Sequence, residues 1–376
     1  MKITSVNTID RAFIITWADQ SVSEFPYIWL RDNDEDELHP HTRERIFNLT
    51  TVSLDLHPES FELIDEILSV RWPGRQDTSH YPANWLYEHQ PGKSRADPSK
   101  VGLNLWDRET IGMVPRASAR ECINSESALR TALQALKQKG ILIFHGLEDR
   151  PYSSGDIGNL IGFRRQTNFG DYFEVLSVPE PINLAYTSME LQLHTDLPNQ
   201  EVVPGYQFLH ALRNSATGGE SVFADGFQIC ADLRRDNPAI YELLSTVQLP
   251  WRFHDNENDI RCSRPIINHD LNGGFDSFVF NTHIADIPDL NSDQLYDFYA
   301  AYQSLMNRVR DPRYAIQFRL EPGEMVVFDN KRVLHGRKAF DPESGERHYQ
   351  GFYLEKNEID NRIRVLSRNL TTANND

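Results

Sequence analysis

The stretch Met325-Val326-Val327-Phe328-Asp329-Asn330-Lys331-Arg332-Val333-Leu334-His335-Gly336-Arg337 constrains this chain more than any other. An apolar run closed by Asp-Asn, then a second short apolar run carrying His335, reads as two strands joined by a turn. Well upstream stands His194-Thr195-Asp196. Two imidazoles and one carboxylate are the ligand set that holds non-haem Fe(II) on one face and leaves the opposite face open. Arg347 follows His335 by 12 residues.

The tripeptide alone is weak. With 13 His and 55 acidic residues, a His-X-acid match arises readily by chance, and His57-Pro58-Glu59 is a second one. Pro58 fixes its own φ and removes a backbone donor beside the would-be ligands, so this is the poorer candidate. The plain alternatives are a loop histidine beside an acid at His194 and a strand-end core histidine at His335. The context of His335-Gly336-Arg337 with Arg347 favours the metal reading.

At 376 residues the chain has room for two domains, or for one large domain with a smaller one attached. A hydrophobic fraction of 39% and an aromatic fraction of 11% can fill a sizeable core. The formal net charge of -17 argues against nucleic acid or an anionic membrane as the main partner. No apolar run reaches bilayer length, and the N-terminus lacks the basic-then-apolar pattern of a signal peptide. Cys122, Cys230 and Cys262 form no Cys-X-X-Cys pattern. So sparse and odd a set fits a reducing cytoplasm and gives neither a disulfide framework nor a thiolate zinc site.

Residues 1 to about 90 read as short strands, among them Ala12–Trp17, Val22–Phe25 and Leu68–Trp72. Two halves echo each other: Trp17 leads to Phe25-Pro26 and Trp29-Leu30, and Trp72 leads to Tyr81-Pro82 and Trp85-Leu86. Residues 91 to 116, rich in Pro, Gly and charge, have linker composition. Ser125 can cap a helix with Leu129, Leu133 and Leu136 on one face and Gly140 at its end, and the strand Ile141–Phe144 follows. Further strands are expected at Gly205–His210, Ser277–Phe280, Met325–Phe328 and Gln350–Leu354, and a helix at Asp293–Arg310. Strands with interspersed helices predict a mainly β catalytic domain, a double-stranded β-helix or jelly roll whose mouth can hold one metal and two small ligands. The division expected is a small β-rich domain over 1–95, a linker over 96–120 and the catalytic domain over 121–376.

Ordered motifs over nearly the full length resemble the γ-butyrobetaine dioxygenase family of Fe(II)/2-oxoglutarate oxygenases. Trp29-Leu30-Arg31-Asp32-Asn33 followed by His39-Pro40-His41-Thr42-Arg43 is similar to that family's N-terminal domain. The catalytic half is similar at Asn183-Leu184-Ala185-Tyr186-Thr187, His194-Thr195-Asp196, Gly218-Gly219-Glu220-Ser221, Phe328-Asp329-Asn330, His335-Gly336-Arg337 and Arg347-His348. One departure stands out: where family members often carry a zinc-binding cysteine cluster, this chain has Asp34, Glu35, Asp36 and Glu37. Soft thiolates are what make such a site tight, so the small domain is expected to fold without structural zinc.

The resemblance implies His194, Asp196 and His335 as ligands of Fe(II), with 2-oxoglutarate and O2 as co-substrates and ascorbate as a compatible stimulant. It gives Arg347 the far carboxylate of 2-oxoglutarate, a task that suits a planar guanidinium. Ser221 resembles the hydroxyl that contacts the same co-substrate, although Gly-Gly-acid-Ser is also an ordinary turn. Arg337 either helps bind it or packs against the barrel. Phe169, Phe173, Tyr186 and Tyr353 fall where the family builds an aromatic cage for a trimethylammonium group, with core packing an equal alternative for Phe169 and Phe173. Asn183 and Asn281 match amides that contact the substrate's anionic end.

The activity implied is hydroxylation of a small quaternary-ammonium zwitterion at the carbon β to nitrogen. Two substrates fit, 2-(trimethylammonio)ethylphosphonate and γ-butyrobetaine, and the altered cage and missing cysteines tilt the reading toward the phosphonate. The rivals are a trimethyllysine- or taurine-type hydroxylase and a non-catalytic jelly-roll protein that binds a zwitterion. A homodimer is compatible with the resemblance.

Overall fold

The computed structural model describes residues 1–176 and 187–373. They form two compact units, Met1–Asp97 and Pro98–Asp376.

The first unit uses one pattern twice. Strands Ile3–Thr8, Ala12–Trp17 and Val22–Pro26 form an antiparallel sheet that runs into the helix Tyr27–Asp32. Strands Ser60–Ile64, Ile67–Arg71 and Ser79–Pro82 form another that runs into the helix Ala83–Glu88. Both helices start directly after a proline, Pro26 and Pro82, at a position where no backbone N–H is required. Trp17, Leu30, Trp72 and Leu86 meet in one core, so the echo in sequence is an echo in structure. The acidic stretch is taken up by arginines. Asp34 is buried against Arg75 and Ser79, Glu37 pairs with Arg31 at 2.9 Å, and Asp32 pairs with Arg45.

The second unit is built on two sheets. The larger has the order Phe173–Val175, Arg347–Leu354, Tyr206–Asn214, Met325–Asp329, Ile141–His145 and Arg116–Ser118, with Arg164–Arg165 paired onto Arg347–Leu354. The smaller has the order Leu191–His194, Val333–Arg337, Ser221–Asp225 and Ala315–Phe318. Alternation along single strands assigns the faces. Ile141, Ile143, Val326 and Phe328 join Phe223 and Val333 of the smaller sheet in one core. Leu142, Phe144, Met325 and Val327 point the other way, onto helices that include Glu126–Lys139 and Lys356–Ala373. This is the expected double-stranded β-helix with helices against its outer face.

Helix Glu126–Lys139 is capped as its sequence predicts: the Ser125 hydroxyl accepts from the Ala128 N–H at 3.2 Å, and Gly140 donates to the Leu136 carbonyl at 2.7 Å. Two expectations shift. From Pro98 onward the linker-like stretch packs in the second unit, because Trp106 is fully buried and donates through its ring N–H to the Lys139 carbonyl. The strand expected at Ser277–Phe280 spans Phe275–Phe278 instead. Residues beyond it leave the ladder to bond Thr195, whose N–H donates to the Phe280 carbonyl at 2.7 Å.

Candidate active site

The distal histidine and the upstream motif are brought together by one strand pairing. Leu191–His194 runs antiparallel to Val333–Arg337, with His194 directly opposite His335 and the two rings 4.3 Å apart. Gly336 permits this approach, since a Cβ there would lie 2.6 Å from the Leu191 carbonyl oxygen. Asp196, just past the strand, directs Oδ1 at both rings, 3.3 Å from His194 Nε2 and 3.6 Å from His335 Nε2. Ligand-type atoms of all three residues lie within 4.8 Å of one another, and among the described residues no other such group occurs. His57 is exposed and rests against Tyr27.

The donor set fits a divalent metal. His194 Nδ1 lies 2.8 Å from the Gln192 carbonyl, which fixes the tautomer and leaves Nε2 facing Asp196. Burial, reinforced by His194, pushes the His335 imidazole down to about 3, so it is neutral with a lone pair to give. Burial disfavours charge on Asp196, yet His335, His194 and a hydroxyl from Tyr353 hold its carboxyl well below the usual range. A neutral His335 imidazole beside an ionised Asp196 carboxylate is ready to coordinate without first losing a proton.

The triad opens into a cavity of about 350 Å³. One wall carries Ser221, Arg337 and Arg347, all buried, and Ser221 lies opposite Arg337 in adjacent strands. Arg347 Nε and Nη1 have no hydrogen-bond partner among the described residues. Its guanidinium lies 4.2 Å from the Tyr349 ring, and burial lowers its pKa. Arg337 is lowered to about 10 by burial and by Arg347, while its Nη2 donates to the Thr187 and Met189 carbonyls at 2.7 Å each. Two buried guanidinium groups on one wall are costly unless an anion sits between them and the cavity. A dicarboxylate co-substrate meets that need.

A second group of lining residues is aromatic. Phe173 packs on Tyr353 with centroids 5.0 Å apart, and Phe169 on Phe253 at 5.4 Å. Gly351, opposite Phe173 in the ladder, leaves room for that ring: a Cβ there would be 2.4 Å from its Cζ. Asn281 lines the cavity too, but its amide donates to the Thr195 carbonyl at 3.1 Å and accepts from the His283 N–H at 3.0 Å. Asn183 and Tyr186 lie outside the described residues. Sequence reasoning missed Phe253, Arg252, His254 and His283, which also line the cavity. Phe253 is one of 20 phenylalanines, and only its hairpin, Leu249–His254 with Asp259–Arg264, tells it apart. Among the described residues lining the cavity, Asp196 is the only carboxylate.

Comparison with known proteins agrees with this geometry. Residues 112–353 match the taurine catabolism dioxygenase TauD, TfdA family, and residues 4–87 match the γ-butyrobetaine hydroxylase-like N-terminal family. The chain is 36% identical to γ-butyrobetaine dioxygenase of Pseudomonas sp. (strain AK-1), covering 94% of this chain and 93% of that one. It is 26% identical to the human γ-butyrobetaine dioxygenase over 99% of each chain. Bovine mitochondrial trimethyllysine dioxygenase is 27% identical, over 92% of this chain and 83% of that one. No helix among the described residues is long and apolar enough to cross a membrane. A His-X-Asp and distal His triad, an arginine wall and both family matches lead to one conclusion: the chain belongs to the TauD/TfdA dioxygenases, within their γ-butyrobetaine dioxygenase branch.

Proposed function

We propose that this dioxygenase hydroxylates a small zwitterion bearing a quaternary ammonium group, with His194, Asp196 and His335 holding Fe(II). The observation that carries the reading is the composition of one cavity. An iron-type triad, buried arginines and five aromatic rings line it together, and among the described residues its single carboxylate belongs to the triad. Ring faces attract a diffuse cation that has no N–H to satisfy, whereas a primary ammonium would lose water partners there without replacement. Bound Fe(II) supplies the oxidising chemistry, in which O2 converts 2-oxoglutarate to succinate and CO2 as a C–H bond becomes C–OH.

The chain's own residues bind and orient. Arg347, with Ser221 beside it, grips the far carboxylate of 2-oxoglutarate, and Arg337 adds positive potential while it anchors residues 187–189. Phe169, Phe173, Phe253 and Tyr353 hold the cationic end, so that the reacting methylene lies over the open face of the triad. Asn281 orients the 194–196 turn and has one donor left for substrate.

Relatives named γ-butyrobetaine dioxygenase support a carboxylate at the anionic end. One observation favours the phosphonate analogue. His254 and His283 also line the cavity, on segments that the Arg252 N–H to Ile284 carbonyl bond at 2.9 Å sets side by side, while the Arg252 guanidinium there is paired with Asp259 at 2.8 and 3.1 Å. The two imidazoles suit a more highly charged terminus than amides do. Succinate release, measured with Fe(II), 2-oxoglutarate and O2 over trimethylammonium carboxylates, phosphonates and sulfonates, separates the two. Release on the carboxylate or the phosphonate supports the reading. Release on the sulfonate taurine alone contradicts it.

A further inference from the structure

Tyr353 does more than present a ring. Its side chain lines the cavity beside Phe173, and its hydroxyl donates to Asp196 Oδ2 at 2.6 Å. The other carboxylate oxygen, Oδ1, is the one that faces His194 and His335. The backbone of Asp196 is fixed separately: its N–H donates to Asn330 Oδ1 at 2.7 Å, and Asn330 Nδ2 donates to its carbonyl at 3.0 Å. With the main chain held, what remains free is rotation of the carboxylate, and the Tyr353 hydroxyl stops it.

We propose that Tyr353 is a positioning residue whose hydroxyl occupies Asp196 Oδ2, so that this carboxylate offers the metal one oxygen. The proposal rests on the reading of Asp196 as a metal ligand. Chemistry at an open-faced triad needs three vacant positions, two for the keto-acid and one for O2. A carboxylate free to turn both oxygens toward the ion would compete for one of them. A short bond from a neutral phenol removes that freedom without adding charge, and groups that orient ligands in this way are typically worth ~10–100-fold in metal affinity or activity. The arrangement also ties two halves of the site together. The Tyr353 ring lines the cavity beside Phe173 while its hydroxyl holds the carboxylate of Asp196.

Tyr353→Phe deletes the hydroxyl and keeps the ring, and Phe173→Leu deletes the neighbouring ring and keeps the hydroxyl. Both variants, metal-stripped and checked for the wild-type thermal midpoint, are titrated with Co(II) and followed by its visible absorption. Each is then assayed for the KM of γ-butyrobetaine with Fe(II). For Tyr353→Phe the expected result is Co(II) affinity weaker by ~10-fold or more with an altered spectrum, and a substrate KM within ~3-fold of wild type. Phe173→Leu should give the reverse pattern, a raised KM with unchanged Co(II) binding. Co(II) affinity and spectrum unchanged in Tyr353→Phe would overturn the proposal. Because the Co(II) arm needs no substrate, its outcome stands even if no quaternary ammonium compound is turned over, and His194→Ala separately tests the triad itself.

Discussion

Asn330 grips Asp196 at both of its backbone groups from 134 residues away, accepting from its N–H at 2.7 Å and donating to its carbonyl at 3.0 Å. The same amide nitrogen reaches the Pro204 carbonyl at 3.2 Å, and Asn330 is wholly buried. The turn between the strands Met325–Asp329 and Val333–Arg337 therefore sets the position of a residue on a different strand end. Asn330→Ala should lower stability by about 2–3 kcal/mol, since buried backbone groups lose their partners. Metal-dependent turnover should fall more steeply than stability. Urea unfolding together with succinate release checks both, and a variant unchanged in both would remove Asn330 from the account.

On the role proposed for Arg347, Arg347→Ala removes a charge-assisted grip on the co-substrate and leaves the triad intact. The loss should be about 2 kcal/mol, a roughly thirtyfold rise in the KM for 2-oxoglutarate with a smaller change in saturating turnover. Steady-state kinetics at varied 2-oxoglutarate reads this directly. If only the affinity for the primary substrate changes, Arg347 serves the other pocket.

Arg332 and Asp225 are a buried pair, joined by Nε to Oδ1 at 3.0 Å and Nη2 to Oδ2 at 2.8 Å. Arg332 also donates to the Asn104 and Gln138 carbonyls, and Asp225 caps the helix Gly226–Asp236. Removing one partner strands the other charge, so Arg332→Ala should cost about 3–5 kcal/mol. Replacing both, as in Arg332→Met with Asp225→Asn, should recover part of that loss. Chemical denaturation of the two variants decides it.

His210 is buried in the central strand Tyr206–Asn214, with neither ring nitrogen partnered among the described residues. Burial pushes its imidazole down to about 4. The unfolded chain binds that proton more readily, with a pKa of about 6.5. Its stability contribution is therefore complete above pH 6.5 and is lost as pH falls to 4, by up to about 3 kcal/mol. His210→Leu should show a flatter decline than wild type across this window. Equal slopes in urea unfolding from pH 7 to pH 4 would contradict the assignment.

Much of this was legible in the sequence because it is local. The cap at Ser125, the leucines at helical spacing and the stop at Gly140 lie within sixteen residues of one another. The triad was legible because His335-Gly336-Arg337, with Arg347 close behind, set His194-Thr195-Asp196 apart from chance His-X-acid matches. What escaped depends on contacts made only after folding. Nothing in the sequence distinguishes a Tyr353 that offers a ring face from one whose hydroxyl also holds a carboxylate. The end of the strand Phe275–Phe278 is set by Thr195, some eighty residues earlier, which no local propensity reports. Trp106 sits in a stretch of linker composition and is nevertheless core, because a single large aromatic outweighs the Gly and Pro around it.

The central claim is that the cavity selects a permanent cation beside an iron triad. Its most direct measurement compares γ-butyrobetaine with its neutral tert-butyl isostere, equal in shape and lacking only the charge, for binding to the wild-type enzyme loaded with metal and 2-oxoglutarate. The account predicts that the trimethylammonium compound binds tighter by at least about 2 kcal/mol, roughly thirtyfold, with several ring faces contributing. It predicts also that this gap narrows in Phe173→Leu. Equal affinity for the two compounds, or tighter binding of the corresponding primary amine, would contradict it.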